Sequence, residues 1–168
     1  MMATSRGARA IVTCLRLKLI AIALRFFIKV TSRKALKRDQ LLADEIPIAS
    51  QPVRIPAGGD PECPTHYIDV VLYYPTSLSL SSSLPATRRP ILINWHGSGW
   101  VFPLLGSDAL FLKRVARDCG MFVLDADYRK GPENPFPCAL QDVEDVLHWA
   151  AVGSSKITSC SLDKSGWK

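Results

Sequence analysis

The chain has 168 residues, of which 48% are hydrophobic and 21% are charged, so it is long enough for one globular domain and is not expected to be disordered. Its formal net charge of +6 arises in residues 1–38, which hold ten basic and no acidic side chains, whereas residues 39–168 hold eleven basic and fifteen acidic ones. This distribution excludes the extended basic surface of a nucleic-acid-binding domain. The five cysteines form no C-x-x-C pair, so a zinc site is not expected.

Residues 10–30 read AIVTCLRLKLIAIALRFFIKV, an apolar stretch interrupted by basic side chains. Its longest unbroken apolar run, 19–24, is far shorter than the ~20 residues that span a bilayer. Charges inside the apolar region also argue against a secretory signal, so we expect an intracellular protein, cytoplasmic or membrane-peripheral. At about 100° per residue, one helical stripe collects four basic side chains, namely Lys18, Arg25, Lys29 and Arg33. We therefore predict a basic amphipathic N-terminal helix over residues 1–38.

Three interpretations of this helix stay open on sequence grounds. It could make a peripheral contact with an anionic membrane through residues 10–33. Because it is rich in arginine and free of acids, it could also be a mitochondrial presequence. It could instead be a cap helix that packs its apolar face over a binding pocket. Nucleic-acid binding is not expected, since the segment has no interleaved aromatic residues and no known motif.

The remaining chain alternates between strand and helix patterns. Residues 39–66 are rich in proline and are predicted to be a linker with turns. Predicted strands follow at 66–74, 91–95 and 121–127, and predicted helices at 107–119 and 138–152. For the last helix, Leu140, Val143, Val146, Leu147 and Ala150 form the expected apolar face, and Gln141, Asp142, Glu144 and Asp145 the expected wet face. The order predicts an α/β fold with a mostly parallel sheet and helices on both faces.

Two motifs follow the predicted buried strands. Residues 94–100 read NWHGSGW, which resembles the HGGG oxyanion-hole motif of the hormone-sensitive-lipase group of esterases and lipases. Residues 127–142 read DYRKGPENPFPCALQD, which is similar to that group's Asp-Tyr-Arg, Pro-Glu and Pro-Phe-Pro sequence before a helix. Together they resemble the N-terminal portion of the α/β-hydrolase fold-3 family, with residues 67–168 as an incomplete hydrolase domain.

The resemblance implies a hydrolase that acts on small-molecule or lipid carboxylic esters through an acyl-enzyme, with no metal or organic cofactor. Oxyanion-hole donors would be the backbone N–H groups of Gly97, Ser98 and Gly99, and His96 would orient the loop. Ser98 replaces the second glycine of the motif but retains its backbone N–H. The resemblance also implies structural supporting roles for four further residues: Asp127, Tyr128, Arg129 and Glu133.

A serine hydrolase of this fold also needs G-x-S-x-G followed by an acid and a histidine base. The 168 residues contain no G-x-S-x-G motif. Residues 161–165 resemble the turn that, in this family, precedes the strand leading to the motif. We therefore expect no nucleophile, acid or base in the chain, an inactive protein as given, and a sheet that ends at an exposed apolar edge. The alternative is a non-catalytic short isoform or fragment that binds a partner or a membrane surface.

Overall fold

The computed structural model describes residues 3–58, 65–75 and 90–152, with side chains from residue 9 onward. Residues 76–89 and 153–168, which include the predicted turn at 161–165, lie outside the described residues. The described elements, in chain order, are α1 (Ala3–Thr31), α2 (Arg33–Asp44), β1 (Ile48–Ala57), β2 (His66–Pro75), β3 (Ile91–Trp95), α3 (Ala109–Cys119), β4 (Phe122–Ala126) and α4 (Cys138–Val152).

The described strands form one mixed sheet in the order β1-β2-β4-β3. β3 and β4 run parallel, with Ile91 opposite Phe122 and Trp95 opposite Ala126. β2 is antiparallel to both β1 and β4. The α/β class is confirmed, and α3 supplies the helical crossover that a parallel β3-β4 pair requires. Because parallel strands end at the same edge, the segments that follow β3 and β4 lie next to each other.

Helices cover both faces of the sheet, as predicted. Alternate residues of β4 point to opposite faces. Leu124 packs in the cluster that contains Val146 and Ala150 of α4. Val123 packs with Leu112 and other residues of α3 in the second cluster. Because β4 is buried along its whole length, the residues at its end are held rigidly.

The secondary structure of residues 39–57 differs from the predicted linker. α2 continues to Asp44, and β1 occupies Ile48–Ala57 with Val53, Ile55 and Ala57 buried. Pro52 and Pro56 indicated a linker because proline cannot donate a ladder hydrogen bond. In the described sheet, however, β1 is an edge strand, where proline is tolerated.

The N-terminal arm also differs from the single helix predicted over residues 1–38, because it divides into α1 and α2 at Ser32. From residue 9 to residue 31 of α1, the residues that are not exposed are Ala21, Arg25 and Ile28. Arg25, which the sequence analysis assigned to the exposed basic stripe, faces the rest of the protein. Exposed apolar side chains lie on several sides of α1, so the predicted amphipathic pattern is not observed, and the three interpretations of the helix stay predictions.

α4 lies at the predicted position, but one residue of its expected wet face is fully buried. Asp142 is inaccessible to solvent, whereas Leu140 and Leu147 of the expected apolar face are 46% and 47% exposed. The periodicity of apolar residues predicts which face of a helix is buried. It cannot predict that a carboxylate is buried as well, because the donors that stabilise Asp142 lie on other elements.

We predict that Leu124→Ala lowers the free energy of unfolding by about 2–5 kcal/mol, because Leu124 is fully buried between the sheet and α4. The matched control Leu147→Ala, at a half-exposed position, should cost less than about 1 kcal/mol. Urea denaturation of both variants measures the difference. Equal losses would contradict the described core.

Candidate functional site

The loop after β3 makes a tight turn that begins at His96. The carbonyl oxygen of Ser98 accepts hydrogen bonds from the N–H groups of Val101 (3.0 Å) and Phe102 (3.1 Å). Gly99 and Trp100 both adopt left-handed backbone conformations, with φ of 53° and 57°. Glycine adopts this conformation without steric cost, whereas for tryptophan it stores about 1 kcal/mol of strain. The surrounding contacts must therefore hold the turn.

The backbone N–H groups of Gly97, Ser98 and Gly99 have no hydrogen-bond partner within the described part of the chain. These residues line a cavity of about 310 Å³ together with side chains that include Trp95, Tyr128 and Leu140. A Cβ atom added to Gly97 would meet open space, and its φ is not left-handed. Nothing in the described chain therefore requires glycine at this position, and the space beside it is free for a ligand.

Beneath the loop, the His96 side chain is buried, and its Nε2 lies 3.0 Å from Oδ1 of Asp127. Lys130 donates to the same oxygen at 2.5 Å. Burial by itself raises the pKa of Asp127, but hydrogen bonds from His96 and Lys130, with a backbone contribution from Tyr128, outweigh it and lower the pKa to about 2. Burial also lowers the pKa of Lys130, and the Asp127 carboxylate opposes that shift.

Tyr128 connects this layer to the turn. Its ring stacks on the His96 imidazole at 5.3 Å between centroids, and the Lys130 ammonium lies 3.2 Å from the centre of the Tyr128 ring. The Tyr128 hydroxyl donates to the carbonyl oxygen of His96 at 3.1 Å and forms a very short hydrogen bond with Oγ of Ser98. The serine that replaces the motif's glycine is therefore accommodated by a specific partner.

A second buried carboxylate supports the loop from the side of α3. Asp125 accepts hydrogen bonds from Nδ2 of Asn94 (2.8 Å) and from the N–H of Gly106 (3.0 Å). Burial raises its pKa, and these hydrogen bonds partly offset the shift. The end of β3 is thus fastened to the segment that leads into α3.

Arg129 and Asp142 fasten the segment after β4 to α4. The Asp142 carboxylate accepts from the backbone N–H of Arg129 at 2.7 Å and from its Nε at 2.9 Å. Nε2 of His66, at the start of β2, lies 2.8 Å from the same carboxylate. Arg129 also donates to the carbonyl oxygen of Cys138 at 3.1 Å. The residue therefore holds the start of α4 in place.

Glu133 binds α1. Arg25 donates through both terminal nitrogens to the Glu133 carboxylate at 2.8–2.9 Å, and further to the carbonyl oxygens of Val101 and Gly131, each at 2.9 Å. The hydrogen bond to Glu133 is the main cause of the raised pKa of Arg25, and the pKa of Glu133 is lowered for the same reason. One side chain of α1 thus contacts both loops of the site.

The structure brings together the predicted residues His96, Ser98, Asp127 and Tyr128, with Gly97 and Gly99 on the open side of the turn. Arg129 and Glu133 lie further along the second loop and contact α4 and α1. Sequence reasoning missed several residues that hold these loops, namely Arg25, His66, Asn94, Asp125, Lys130 and Asp142 as a buried acceptor. Asn94 and Asp125 carried a usable signal, since polar side chains in short apolar strands are unusual.

Comparisons with known proteins relate part of the chain to a known family. Residues 92–164 match the model of a family described as α/β hydrolase fold. A relative of Arabidopsis thaliana, probable carboxylesterase 16, is 34% identical over 82 residues, which are 48% of this chain and 18% of the relative. The gibberellin receptor GID1B of the same plant is 34% identical over 76 residues, 44% of this chain and 21% of the receptor. An esterase of Pyrobaculum calidifontis superposes with a TM-score of 0.63 at 24% identity over 82% of this chain and 39% of its own, which shows a shared fold.

Residues 92–164 therefore match the α/β-hydrolase fold family, and the recognition made from the two motifs is confirmed for this segment. The curated relatives that match this segment include two proteins named probable carboxylesterases. The aligned part spans only about a fifth of the length of the curated relatives it matches.

We predict a specific acid sensitivity at Asp127. Because its pKa is lowered from the ordinary 3.8 to about 2, the stability that its charged form contributes is present above pH 4 and is lost as the pH falls toward 2. This shift corresponds to about 2 kcal/mol. Urea melts of the wild type and Asp127→Asn at pH 6, 4, 3 and 2 should show the difference between the two proteins shrinking by about that amount below pH 4. A pH-independent difference would contradict the lowered pKa.

We also predict that Arg25→Gln releases α1 and loosens the turn, because it removes the contacts with Glu133, Val101 and Gly131 together. Hydrogen exchange at the N–H groups of Val101 and Phe102 should become at least tenfold faster. Lys29→Gln, which removes the same charge from an exposed position one turn further along, is the matched control and should leave exchange unchanged. Equal effects of the two variants would show that Arg25 acts only through net charge.

Proposed function

We propose that this chain supplies the oxyanion-hole part of a serine carboxylic-ester hydrolase. One observation carries the proposal: three successive backbone N–H groups, at Gly97, Ser98 and Gly99, have no partner in the described chain and line an open cavity at the carboxyl end of β3. Gly97 and Gly99 are exposed, so water can reach their N–H groups and a substrate oxygen can replace that water.

Ester hydrolysis through an acyl-enzyme passes through tetrahedral intermediates that carry negative charge on the former carbonyl oxygen. Fixed amide donors directed at that oxygen lower the barrier by about 3–4 kcal/mol each. The absence of a side chain at Gly97 lets the ester approach, and the left-handed conformation of Gly99 turns the backbone. The donors need no reorganisation during the reaction, because the turn is already held from below.

The remaining site residues act as supports in this proposal. His96 orients the loop through Asp127, and Tyr128 fastens both ends of the His96–Ser98 segment. Arg129 and Glu133 position the second loop through their contacts with α4 and α1. Ser98 is not the nucleophile, because its hydroxyl contacts Tyr128 and no histidine nitrogen lies within hydrogen-bond reach of it.

The open edge of β3 supports a place for the nucleophile. Within the described sheet, β3 pairs with β4 and has no strand on its other side, and its residues are only half-buried. A further strand parallel to β3 would end beside Gly97, since parallel strands share their carboxyl edge. The G-x-S-x-G motif that the 168 residues lack would come from such a strand.

The substrate class we propose is a small-molecule or lipid carboxylic ester, supported by the relative named probable carboxylesterase 16. A second candidate is a non-catalytic protein that binds a partner or a membrane surface. The exposed apolar side chains of α1 favour it, and the gibberellin receptor among the relatives supports a binding role on this fold. The cytoplasmic or membrane-peripheral location expected from the sequence stays a prediction.

We predict that the cDNA continues in frame beyond codon 168 into a G-x-S-x-G motif.

In the encoded protein, Gly97→Ala should lower kcat for p-nitrophenyl acetate by about 10²-fold, because its methyl group crowds the oxyanion position. The melting temperature should stay unchanged, since the methyl meets no atom of the described chain. Ser98→Gly, which retains every backbone donor, should keep kcat within a few fold.

Two results would contradict the ester-hydrolase proposal. A stop codon directly after Lys168 in the cDNA would leave the product without a nucleophile and support the binding role. An unchanged kcat in Gly97→Ala would show that the Gly97–Gly99 amides do not stabilise the transition state. Loss of activity in Ser98→Gly would instead assign a role to the hydroxyl.

A further inference from the structure

A cavity of about 1030 Å³ lies between α1, α2 and residues 102–104, the segment that follows the Gly97–Gly99 turn. We call it the α1–α2 cavity. Its volume is at the upper end of the range of about 300–1,000 Å³ that small-molecule sites occupy. Its walls are mainly apolar and come from both sides: Phe26, Ile28 and Leu36 from the helices, and Phe102, Pro103 and Leu104 from the loop. The oxyanion-hole proposal makes no use of this cavity.

Arg25 connects the two walls of the α1–α2 cavity. Its Nε donates to the carbonyl oxygen of Val101 at 2.9 Å, directly before Phe102, and its other nitrogens bind the second loop of the site. The N–H of Phe102 donates in turn to the carbonyl oxygen of Ser98 at 3.1 Å. These contacts lie within the protein itself, so the cavity is preformed and a ligand would need to order little of it.

Three further basic side chains, Lys29, Arg33 and Lys37, line the same cavity, and we call them the basic row. Intervals of four residues place them on one side of a helix. The helical hydrogen bonding continues through the junction of α1 and α2, where the N–H of Leu36 donates to the carbonyl oxygen of Ser32 at 2.9 Å. The basic row is therefore not interrupted where α1 ends and α2 begins.

The surroundings of the basic row provide no acidic partner for it. None of the residues that line the cavity is acidic, and α1 contains no acidic residue. The two acidic residues of α2, Asp39 and Asp44, pair with Arg38 and Lys113 instead. Like charges four residues apart on a helix repel each other, and an anion bound among them would relieve this repulsion.

From these observations we propose that the α1–α2 cavity binds an amphiphile with one hydrocarbon chain and an anionic head group. The chain packs against the apolar walls, and the head group lies among the charges of the basic row. Lysine and arginine suit this arrangement, because their aliphatic stems cover apolar surface while their charged ends stay at its rim.

Other ligand classes satisfy only one half of the cavity. An inorganic anion would leave the apolar walls in contact with water. A neutral lipid would leave the three like charges without a partner. The proposal goes beyond ester hydrolysis and holds whether or not the protein is catalytic.

Displacement of a fluorescent carboxylate, dansylaminoundecanoate, from the full chain tests the proposal. The assay contains no vesicles and is run below the micelle-forming concentration of each ligand, so that the protein meets single molecules. We expect saturable binding of one probe molecule per chain, weakened about tenfold at about 0.5 M salt. Laurate should displace the probe about tenfold more strongly than octanoate, because its longer chain buries more apolar surface. Octanoate should displace it about tenfold more strongly than 1-octanol, which has a chain of the same length and no charge.

Variants locate the binding in the same assay. Lys29→Gln with Lys37→Gln should weaken binding of the probe about tenfold, through the loss of two charge-assisted contacts. The matched control Lys18→Gln with Lys34→Gln removes the same charge from α1 and α2 at positions that do not line the cavity, and it should bind normally.

The apolar wall is tested by Leu36→Ser, which should weaken binding of the probe about tenfold. Leu41→Ser, at an exposed position of α2 outside the cavity, is its control and should bind normally. Circular dichroism checks that each variant is folded. Absence of saturable binding, or equal displacement by octanoate and 1-octanol, would overturn the proposal. Equal weakening by the two lysine pairs, or by the two leucine variants, would place the binding outside the α1–α2 cavity and overturn it as well.

Discussion

The buried carboxylate of Asp142 is the constraint on which the rest of the structure depends. A charged group without access to water is stable only if its lone pairs are satisfied by donors. Arg129 and His66 supply them from two other elements, so the loop after β4, the start of β2 and α4 must meet at one point. Removal of any partner would leave the carboxylate uncompensated. This junction fixes where β4 ends and therefore where the candidate site lies.

The same principle repeats around the Gly97–Gly99 turn. Asp125 and Asp127 sit on the two sides of the turn and are each satisfied by specific donors, from Asn94 and Gly106 in one case and from His96 and Lys130 in the other. Polar groups beneath the turn are thus largely paired with one another. The backbone donors on its open side have no such partners, which is the arrangement that a preorganised anion site needs.

Basic residues lie on both the inward and the outward side of α1, and their surroundings differ. Arg25 faces inward, where the Glu133 carboxylate and two carbonyl oxygens accept its hydrogen bonds. Lys18 and Lys29 remain outside, next to apolar side chains that nothing in the described protein covers. The contacts of Arg25 thus attach α1 to the loops of the site, and most apolar side chains of the helix stay exposed in the described protein.

The sequence by itself determined the class of the fold, most helix and strand positions after residue 66, and the two loops that form the candidate site. Periodicity, strand-ending motifs and glycine positions are local properties, and local properties suffice for these features. Tertiary structure decided that the proline-containing segment at 48–57 is an edge strand, that Asp142 is buried, and that Arg25 faces inward. In each case the deciding partner lies far along the chain: β2 for Pro52 and Pro56, Arg129 and His66 for Asp142, and Glu133 for Arg25. Hydrogen-bond partners brought together by folding leave no trace in the spacing of neighbouring residues.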